Sequence, residues 1–147
     1  MILLDEAATE AAGRDLAPSL RVGDIVGLFG NLGAGKTSFA RGVLAGLGFL
    51  DEAPSPSFAV VRPYAPPAVR IPVLHVDLYR LETAEEIEEL GLDDALSDAA
   101  LLIEWPERLG DRLWRQTLKV QLAEAGSQGR RLTVSVPPSW EGRCPLQ

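Results

Sequence analysis

A glycine-rich segment with one lysine carries the clearest chemistry in this sequence. Residues Gly30–Thr37 read GNLGAGKT and match the pattern G-x-x-x-x-G-K-[ST] that defines a P-loop. In that pattern, backbone N–H groups surround nucleotide phosphates, and the start of the following helix adds a favourable electrostatic field. The pattern makes Lys36 a point charge between the β- and γ-phosphates and makes the Thr37 hydroxyl a ligand of Mg²⁺. The segment therefore predicts a phosphate-binding site.

Two acidic residues lie where a P-loop protein needs a carboxylate. Asp77 ends the apolar run that begins at Val73, and Glu104 ends the run that begins at Ala100. Both runs are typical of buried parallel strands, and ligands of open α/β sheets bind beyond the carboxyl ends of such strands. Each carboxylate is a candidate for holding the metal or its water shell, and each is also compatible with a role as a helix cap or loop acid.

The single histidine, His75, shares a strand face with Asp77, because side chains alternate along a strand. A buried histidine satisfied by the backbone and a functional histidine both fit this position. One histidine and one cysteine, Cys144, are too few for a zinc site. A zinc site is therefore excluded, whereas the role of His75 stays open.

Alternating helices and strands would bring these candidate residues together. The apolar run Ile25–Phe29 predicts a buried strand ahead of the glycine loop, and apolar residues at helical spacing predict a helix from Lys36 to Gly46. Asp5 is expected to cap the first helix, and Thr83–Glu86 fits a capping box. The other expected elements are helices over residues 6–17, 83–90 and 93–98, and strands over residues 58–61, 73–77 and 100–103.

The end of the chain completes the expected fold. Alternating apolar and polar residues predict an antiparallel hairpin with strands over residues 117–123 and 131–136. We expect a single P-loop domain over residues 1–147, an α/β three-layer fold of the P-loop NTPase type. Its central sheet would be mostly parallel, with an antiparallel C-terminal edge hairpin. The proline-rich residues 137–147 are expected to form a loosely ordered tail.

Composition and charge narrow the class of protein. Lys and Arg number 14 and Asp and Glu number 21, which gives a formal net charge of −7. That balance argues against a protein that grips a phosphate backbone unaided. The first residues lack the basic and apolar regions of an export signal, and no apolar run approaches the roughly 20 residues that cross a bilayer. We therefore expect a cytoplasmic protein without membrane contact.

The P-loop alone does not say which kind of P-loop protein this is. A regulatory GTPase specifies guanine with an [NT]-K-x-D loop, which is absent because neither lysine follows Asn or Thr. A stand-alone kinase for a small metabolite needs an arginine-bearing lid, which Arg62 or Arg70 could supply. A nucleotide-binding adaptor without hydrolysis also fits. From the residues alone, the ATPase, the kinase and the adaptor stay open.

Four strings in a fixed order give a more specific indication. They are Gly30–Thr37, SPSF at Ser55–Phe58, HVDLYRL at His75–Leu81 and EWPE at Glu104–Glu107. Over nearly the whole chain, the sequence resembles the TsaE (YjeE) family, the ATPase component of bacterial tRNA threonylcarbamoyladenosine biosynthesis.

The resemblance implies an activity, cofactors and partners. It implies a cytoplasmic ATPase that uses ATP and Mg²⁺ and works with the transferase TsaD and its partner TsaB. That complex places a threonylcarbamoyl group on the adenosine beside the anticodon of tRNA. The ATPase would drive turnover without transferring the group itself, and tRNA would be met only through the complex.

The resemblance also implies roles for individual residues. Lys36 would bind phosphates, Thr37 and Glu104 would hold Mg²⁺, and Asp77 would act near the γ-phosphate, so Asp77, Lys36 and Glu104 are the expected catalytic residues. The expected nucleotide-binding residues are Gly30, Asn31, Leu32, Gly33, Ala34, Gly35, Lys36, Thr37, Ser38, Ser57 and Arg130. The segment Ser55–Phe58 is similar to a switch loop, and Asp5 and Glu6 are expected on the adenine side.

Two positions depart from the family pattern. Asn31 stands where Asp is usual, which removes a negative charge beside the triphosphate. Ser57 stands where Thr is usual, which keeps the hydroxyl and loses a methyl group. Slow hydrolysis is expected from the residues themselves, because neither Arg41 nor Arg80 sits on an obvious lid and Asn31 changes the charge around the phosphates.

Overall fold

A seven-stranded sheet forms the centre of the computed structural model, which describes residues 1–56 and 60–146. The strands, numbered along the chain, are β1 (Ile2–Leu3), β2 (Ile25–Phe29), β3 (Val61–Tyr64), β4 (Val73–Asp77), β5 (Ala100–Glu104), β6 (Leu118–Ala125) and β7 (Gly129–Ser135). The α-helices are α1 (Glu6–Leu16), α2 (Lys36–Gly46), α3 (Ala84–Glu88) and α4 (Leu92–Ala95), and short 3₁₀ helices follow at Ala17–Ser19, Pro106–Arg112 and Pro138–Trp140. None of the helices in these ranges is long and apolar enough to cross a membrane.

The sheet confirms the expected mixture of parallel and antiparallel strands. Its order is β1-β7-β6-β2-β5-β4-β3, and the central strands β6, β2, β5 and β4 run parallel. The hairpin of β6 and β7 is antiparallel, as expected. It does not form the edge itself, because β1 pairs with β7 outside it. Strand β1 was not predicted, since two residues are too few to show an alternating pattern.

Side chains from the sheet divide between two hydrophobic clusters, and this confirms the three-layer fold. On β5, Ala100 and Leu102 belong to the cluster beneath α1 and α2, whereas Leu101 and Ile103 belong to the cluster beneath α3 and α4. Because side chains alternate along a strand, Glu104 shares the α2 face with Leu102. The same alternation places His75 and Asp77 on that face, since Val73 packs there.

Two glycines let helices α1 and α2 pack closely. A Cβ atom on Gly13 would collide with the backbone oxygen of Phe39, and one on Gly42 would collide with the backbone oxygen of Glu10. Absence of side chains at both positions therefore allows the two backbones to touch. This contact fixes α2, and with it the end of the glycine loop, against α1.

Local signals for the helices are largely confirmed. Asp5 caps α1 by accepting a hydrogen bond from the N–H of Ala8 at 2.8 Å, and Thr83 and Glu86 form the expected capping box of α3. The helix expected over residues 93–98 is shorter and begins earlier, as α4.

The strand expected over residues 58–61 lies partly outside the described residues, and its described part extends further along the chain than expected. Residues 57–59 lie outside the described residues, and β3 begins at Val61 and continues to Tyr64. It includes Pro63, a residue type that is found in sheets only at edge strands, strand starts or bulges. Pro63 is tolerated because β3 is an edge strand, where a missing N–H does not interrupt the ladder.

The C-terminal segment differs from the expected loose tail. Trp140 is fully buried and Leu146 is 1% exposed, and both belong to the main hydrophobic cluster. The guanidinium of Arg143 binds the Asp24 carboxylate at 2.6 and 2.9 Å. The prolines and small polar residues of this segment favoured a loose tail, and they gave no indication of these buried contacts.

Candidate functional site

The glycine loop joins β2 to α2 and leaves the start of α2 open. Gly33 and Gly35 have φ values of 81° and 102°, in the left-handed region that favours glycine. Gly35 is the N-cap of α2 and leaves the first N–H groups of the helix without a side-chain cap. At Gly30, a Cβ atom would lie 2.5 Å from the backbone oxygen of Leu122. The loop thus fits tightly against β6 and presents a helix N-terminus suited to an anion.

Lys36 is held in an almost buried position. Lys36 is 5% exposed, and its Nζ donates a hydrogen bond to the Gly30 backbone oxygen at 2.7 Å. The ammonium also lies 3.2 Å from the centre of the Trp105 ring, within the range of a cation–π contact. Burial lowers the pKa of Lys36 below its usual value, while the carboxylates of Glu104, Glu107 and Asp77 oppose that change.

Trp105 has an unusual backbone conformation directly after β5. Its φ and ψ are 61° and 47°, a left-handed conformation that is strained for a bulky residue. The ring lies against Tyr79, with the ring centres 4.8 Å apart, and Arg108 lies over the Tyr79 ring at 5.6 Å. In the sequence Trp105 stands out only as part of the EWPE string that begins at Glu104. Its contact with Lys36 depends on the fold.

Oxygen atoms suited to a hard cation meet at Thr37 and Glu104. The Thr37 hydroxyl donates to the Glu104 carboxylate, with distances of 2.9 and 3.1 Å to its two oxygens. Within residues 1–56 and 60–146, no group of three or more His, Cys, Asp or Glu side chains could hold a metal ion. The Thr37 hydroxyl and the Glu104 carboxylate are oxygen ligands of the kind that a hard cation such as Mg²⁺ binds.

Asp77 lies beside Glu104 because the two residues are register partners on parallel strands β4 and β5. Asp77 is 5% exposed and its Oδ1 accepts a hydrogen bond from the N–H of Tyr79 at 2.9 Å. The sheet thus brings both expected carboxylates to one edge, on the face of α2.

Arg130 reaches the glycine loop from β7. Its Nε donates to the backbone oxygen of Ala34 at 2.8 Å and its Nη2 donates to that of Gly33 at 2.9 Å. The family resemblance implies a place for Arg130 near a nucleotide. In the structure its guanidinium supports the loop while also lining the cleft beside it.

A cleft of about 660 Å³ opens over these residues. That volume is typical of a site for a small molecule or cofactor. Among the expected site residues, its walls contain Leu32, Gly33, Gly35, Lys36, Thr37, Ser38, Asp77, Glu104 and Arg130. Gly30, Asn31 and Ala34 belong to the same loop but do not line the cleft, and Ser57 lies outside the described residues.

Other walls of the cleft come from segments that carried little or no signal in the sequence. Thr9 comes from α1 and Ser127 and Gln128 come from the turn between β6 and β7. Glu6, which was expected on the adenine side, also lines the cleft and accepts a hydrogen bond from the Ser38 hydroxyl at 3.3 Å. These segments meet the loop only through long-range packing.

Comparisons with known proteins agree on one family. Residues 3–132 match the family model described as "Threonylcarbamoyl adenosine biosynthesis protein TsaE". A protein of Streptomyces coelicolor named "tRNA threonylcarbamoyladenosine biosynthesis protein TsaE" is 41% identical over 128 residues, covering 84% of this chain and 86% of the relative. A protein of the same name from Bacillus subtilis is 34% identical, covering 86% of this chain and 78% of the relative.

A solved structure shows the same architecture. The crystal structure titled as Bacillus subtilis YdiB aligns with a TM-score of 0.80 at 27% sequence identity. The alignment covers 96% of this chain and 87% of the other.

Proposed function

Since this chain belongs to the TsaE family of threonylcarbamoyl adenosine biosynthesis proteins, we propose that it binds ATP with Mg²⁺ and hydrolyses the ATP slowly. Hydrolysis drives turnover of the machinery that forms threonylcarbamoyladenosine in tRNA. The chain does not transfer the threonylcarbamoyl group itself. Its partners are the transferase TsaD and the TsaB protein, and it meets tRNA through that complex.

The observation that carries this proposal is the convergence of three side chains at the start of α2. The ammonium of Lys36, the hydroxyl of Thr37 and the carboxylate of Glu104 lie in one cleft, next to helix N–H groups without a side-chain cap. A phosphate chain needs a cation, a metal and backbone N–H donors together. The cleft supplies the first and third, and its oxygen atoms suit the second.

Each of these groups has a separate task in the proposed reaction. Lys36 exchanges its contacts with the Gly30 oxygen and the Trp105 ring for phosphate oxygens, because hydrogen bonds between charged groups are stronger. Thr37 and Glu104 hold Mg²⁺, which neutralises charge on the phosphates. Asp77 holds the water that attacks the γ-phosphorus, so that the bond to the β,γ-bridging oxygen breaks and ADP and phosphate form.

Slow hydrolysis follows from how the nearby arginines are used. The guanidinium of Arg130 donates to loop carbonyl oxygens, and Arg41 donates to the backbone oxygen of Ala53 at 2.6 Å. Both guanidinium groups therefore serve structural contacts, whereas an arginine aimed at the transferred phosphoryl group raises the rate by roughly 10³–10⁵-fold. We expect the isolated chain to turn over well below the typical enzyme rate of about 10 s⁻¹.

The partners are expected to raise that rate. They can contribute a cation or bind the segment Ser55–Phe58, which the sequence likens to a switch loop. The formal charge of −7 supports a route to tRNA through partner proteins, because a protein that binds RNA by itself needs a basic surface.

A phosphate-release assay tests the proposal directly. The purified chain receives ATP and Mg²⁺ alone, and then with TsaD and TsaB added; we expect slow release that the partners accelerate. Fast hydrolysis with no partner effect, or ATP consumption only when a small metabolite is added, would contradict the proposal and favour a kinase. Absence of hydrolysis under every condition would leave a nucleotide-binding adaptor.

A further inference from the structure

His75 contacts the expected metal ligand through a fully buried hydrogen bond. The residue is 0% exposed, and its Nε2 lies 2.7 Å from Oε2 of Glu104. An ionised carboxylate only accepts hydrogen bonds, so Nε2 must carry the hydrogen. The same carboxylate accepts the Thr37 hydroxyl. The three side chains thus form a line from the sheet to the start of α2, with Glu104 in the middle.

The register of the parallel strands explains this contact. His75 pairs with Leu102 across β4 and β5, so Glu104 is the diagonal neighbour two residues further along the same face. Diagonal neighbours are within reach of long side chains. The histidine ring therefore reaches the carboxylate from the neighbouring strand β4, whereas the Thr37 hydroxyl reaches it from α2.

The other ring nitrogen indicates that this placement is not simply good packing. Among the described residues, His75 Nδ1 is buried and has no hydrogen-bond partner. Burial of an unpaired polar atom costs stability. An apolar residue at this position would avoid that cost. Among the described residues, the ring's one hydrogen bond is to Glu104, so that contact is what a histidine adds here.

We propose that His75 is a positioning residue that holds the Glu104 carboxylate in the orientation required for Mg²⁺, and thereby sets the Mg²⁺ dependence of nucleotide binding. This inference rests on the proposed function, in which Thr37 and Glu104 hold the metal. Partners behind metal ligands fix the ligand's orientation, and their loss typically weakens metal affinity by about 10–100-fold. His75 itself does not touch nucleotide or metal.

Two amide variants and one apolar variant separate positioning from packing. His75→Gln carries an amide N–H at about the distance of Nε2, His75→Asn carries it at about the distance of Nδ1, and His75→Leu carries none. Binding of a fluorescent, non-hydrolysable ATP analogue is measured in EDTA and over a Mg²⁺ titration. Thr117→Val is the matched control, because Thr117 is also buried and polar but bonds to the Trp114 backbone oxygen, away from the cleft.

The expected result is a change only in the Mg²⁺ midpoint, which is the Mg²⁺ concentration that gives half-maximal binding of the analogue. The midpoint rises about tenfold or more in His75→Leu and His75→Asn, stays within about threefold of wild type in His75→Gln, and is unchanged in Thr117→Val. Affinity in EDTA stays the same in all folded variants. If His75→Leu does not fold, as judged by thermal unfolding, the Gln and Asn pair decides, since both carry the same amide.

Two kinds of result would overturn the inference. A wild-type Mg²⁺ midpoint in His75→Asn contradicts it, and so does an equal loss of affinity with and without Mg²⁺, which would show a purely structural role. Failure of the proposed function has a different appearance: the wild-type chain would then bind no ATP analogue, or would bind it without any Mg²⁺ dependence.

Discussion

Buried charged side chains have different kinds of partner at the two ends of the central parallel strands. At the amino end, Asp24 lies just before β2. Its carboxylate accepts hydrogen bonds from both terminal nitrogens of Arg143, at 2.6 and 2.9 Å, and from the backbone N–H of Arg21 at 2.7 Å. At the carboxyl end, the ammonium of Lys36 contacts a carbonyl oxygen and an aromatic ring. Opposite charges are in direct contact at the amino end. At the carboxyl end the ammonium contacts two neutral groups, and the carboxylates of Glu104, Glu107 and Asp77 also act on it.

The difference separates a structural site from one suited to a ligand. A complete carboxylate–guanidinium pair leaves little for a third group to bind. The carboxyl end instead combines the lowered pKa of Lys36, the strained Trp105 and an unpartnered nitrogen of His75 in the described residues. Strain and perturbed groups of this kind collect at functional sites. We infer that the amino end stabilises the fold and the carboxyl end gives up stability for binding.

Removal of the paired cation at the amino end gives the largest expected effect. Arg143→Ala should lower the free energy of unfolding by about 3 kcal/mol, because Asp24 would stay largely buried without its counter-ion. Chemical denaturation measures this change. Nucleotide affinity of the folded fraction should not change, since the pair lies at the far end of the strands.

Arg115→Ala is the matched control, because Arg115 is exposed. Its effect on the free energy of unfolding should stay within about 0.5 kcal/mol. If the two arginine substitutions changed the free energy of unfolding equally, that result would contradict the structural role inferred for the amino end.

Removal of the cation at the carboxyl end should have the opposite pattern. Lys36→Ala should weaken ATP·Mg²⁺ binding by at least tenfold, because the phosphates lose a charge-assisted contact worth about 1.5–3 kcal/mol. Calorimetric titration measures the affinity. Lys36→Met, which keeps most of the side-chain length, should unfold at the same or a higher denaturant concentration than wild type, since the cost of burying the ammonium disappears.

Lys119→Ala serves as the control for charge, because Lys119 is the only other lysine of the chain and is exposed on β6. Its affinity for ATP should match wild type. Unchanged affinity in Lys36→Ala would contradict the P-loop assignment, and a large loss of stability in Lys36→Met would contradict the proposed difference between the two ends.

The carboxyl end was largely predictable because its signals are local. The G-x-x-x-x-G-K-[ST] spacing places Lys36 and Thr37 at the start of α2, and continuous apolar runs locate β2, β4 and β5. Residues that end such strands, Asp77 and Glu104, then reach the same edge by the geometry of parallel sheets. Each of these site residues lies within a few residues of the sequence pattern that predicts it.

The amino end was not predictable, because its partners are remote. Asp24 and Arg143 are 119 residues apart, and nothing in the proline-rich segment around Arg143 indicates that it returns to the sheet. Two-residue strand β1 has the same problem. Trp105 is intermediate: its position was visible beside Glu104, whereas its left-handed backbone and its contact with Lys36 depend on packing between β5 and α2.

Exchange of single carboxylates at the carboxyl end gives the smallest of these effects and the sharpest assignment. Glu104→Gln keeps the shape of the side chain and removes its charge, so it should raise the Mg²⁺ concentration needed for half-maximal nucleotide binding about tenfold and leave the fold intact. A Mg²⁺ titration of a bound fluorescent nucleotide measures this. Glu107→Gln is the control, because Glu107 is an exposed neighbour whose charge also acts on Lys36. Asp77→Asn should leave the Mg²⁺ midpoint near wild type and slow phosphate release instead. If only Asp77→Asn moves the midpoint, the roles of the two acids are reversed; if neither does, the oxygen atoms at this end of the sheet hold no metal.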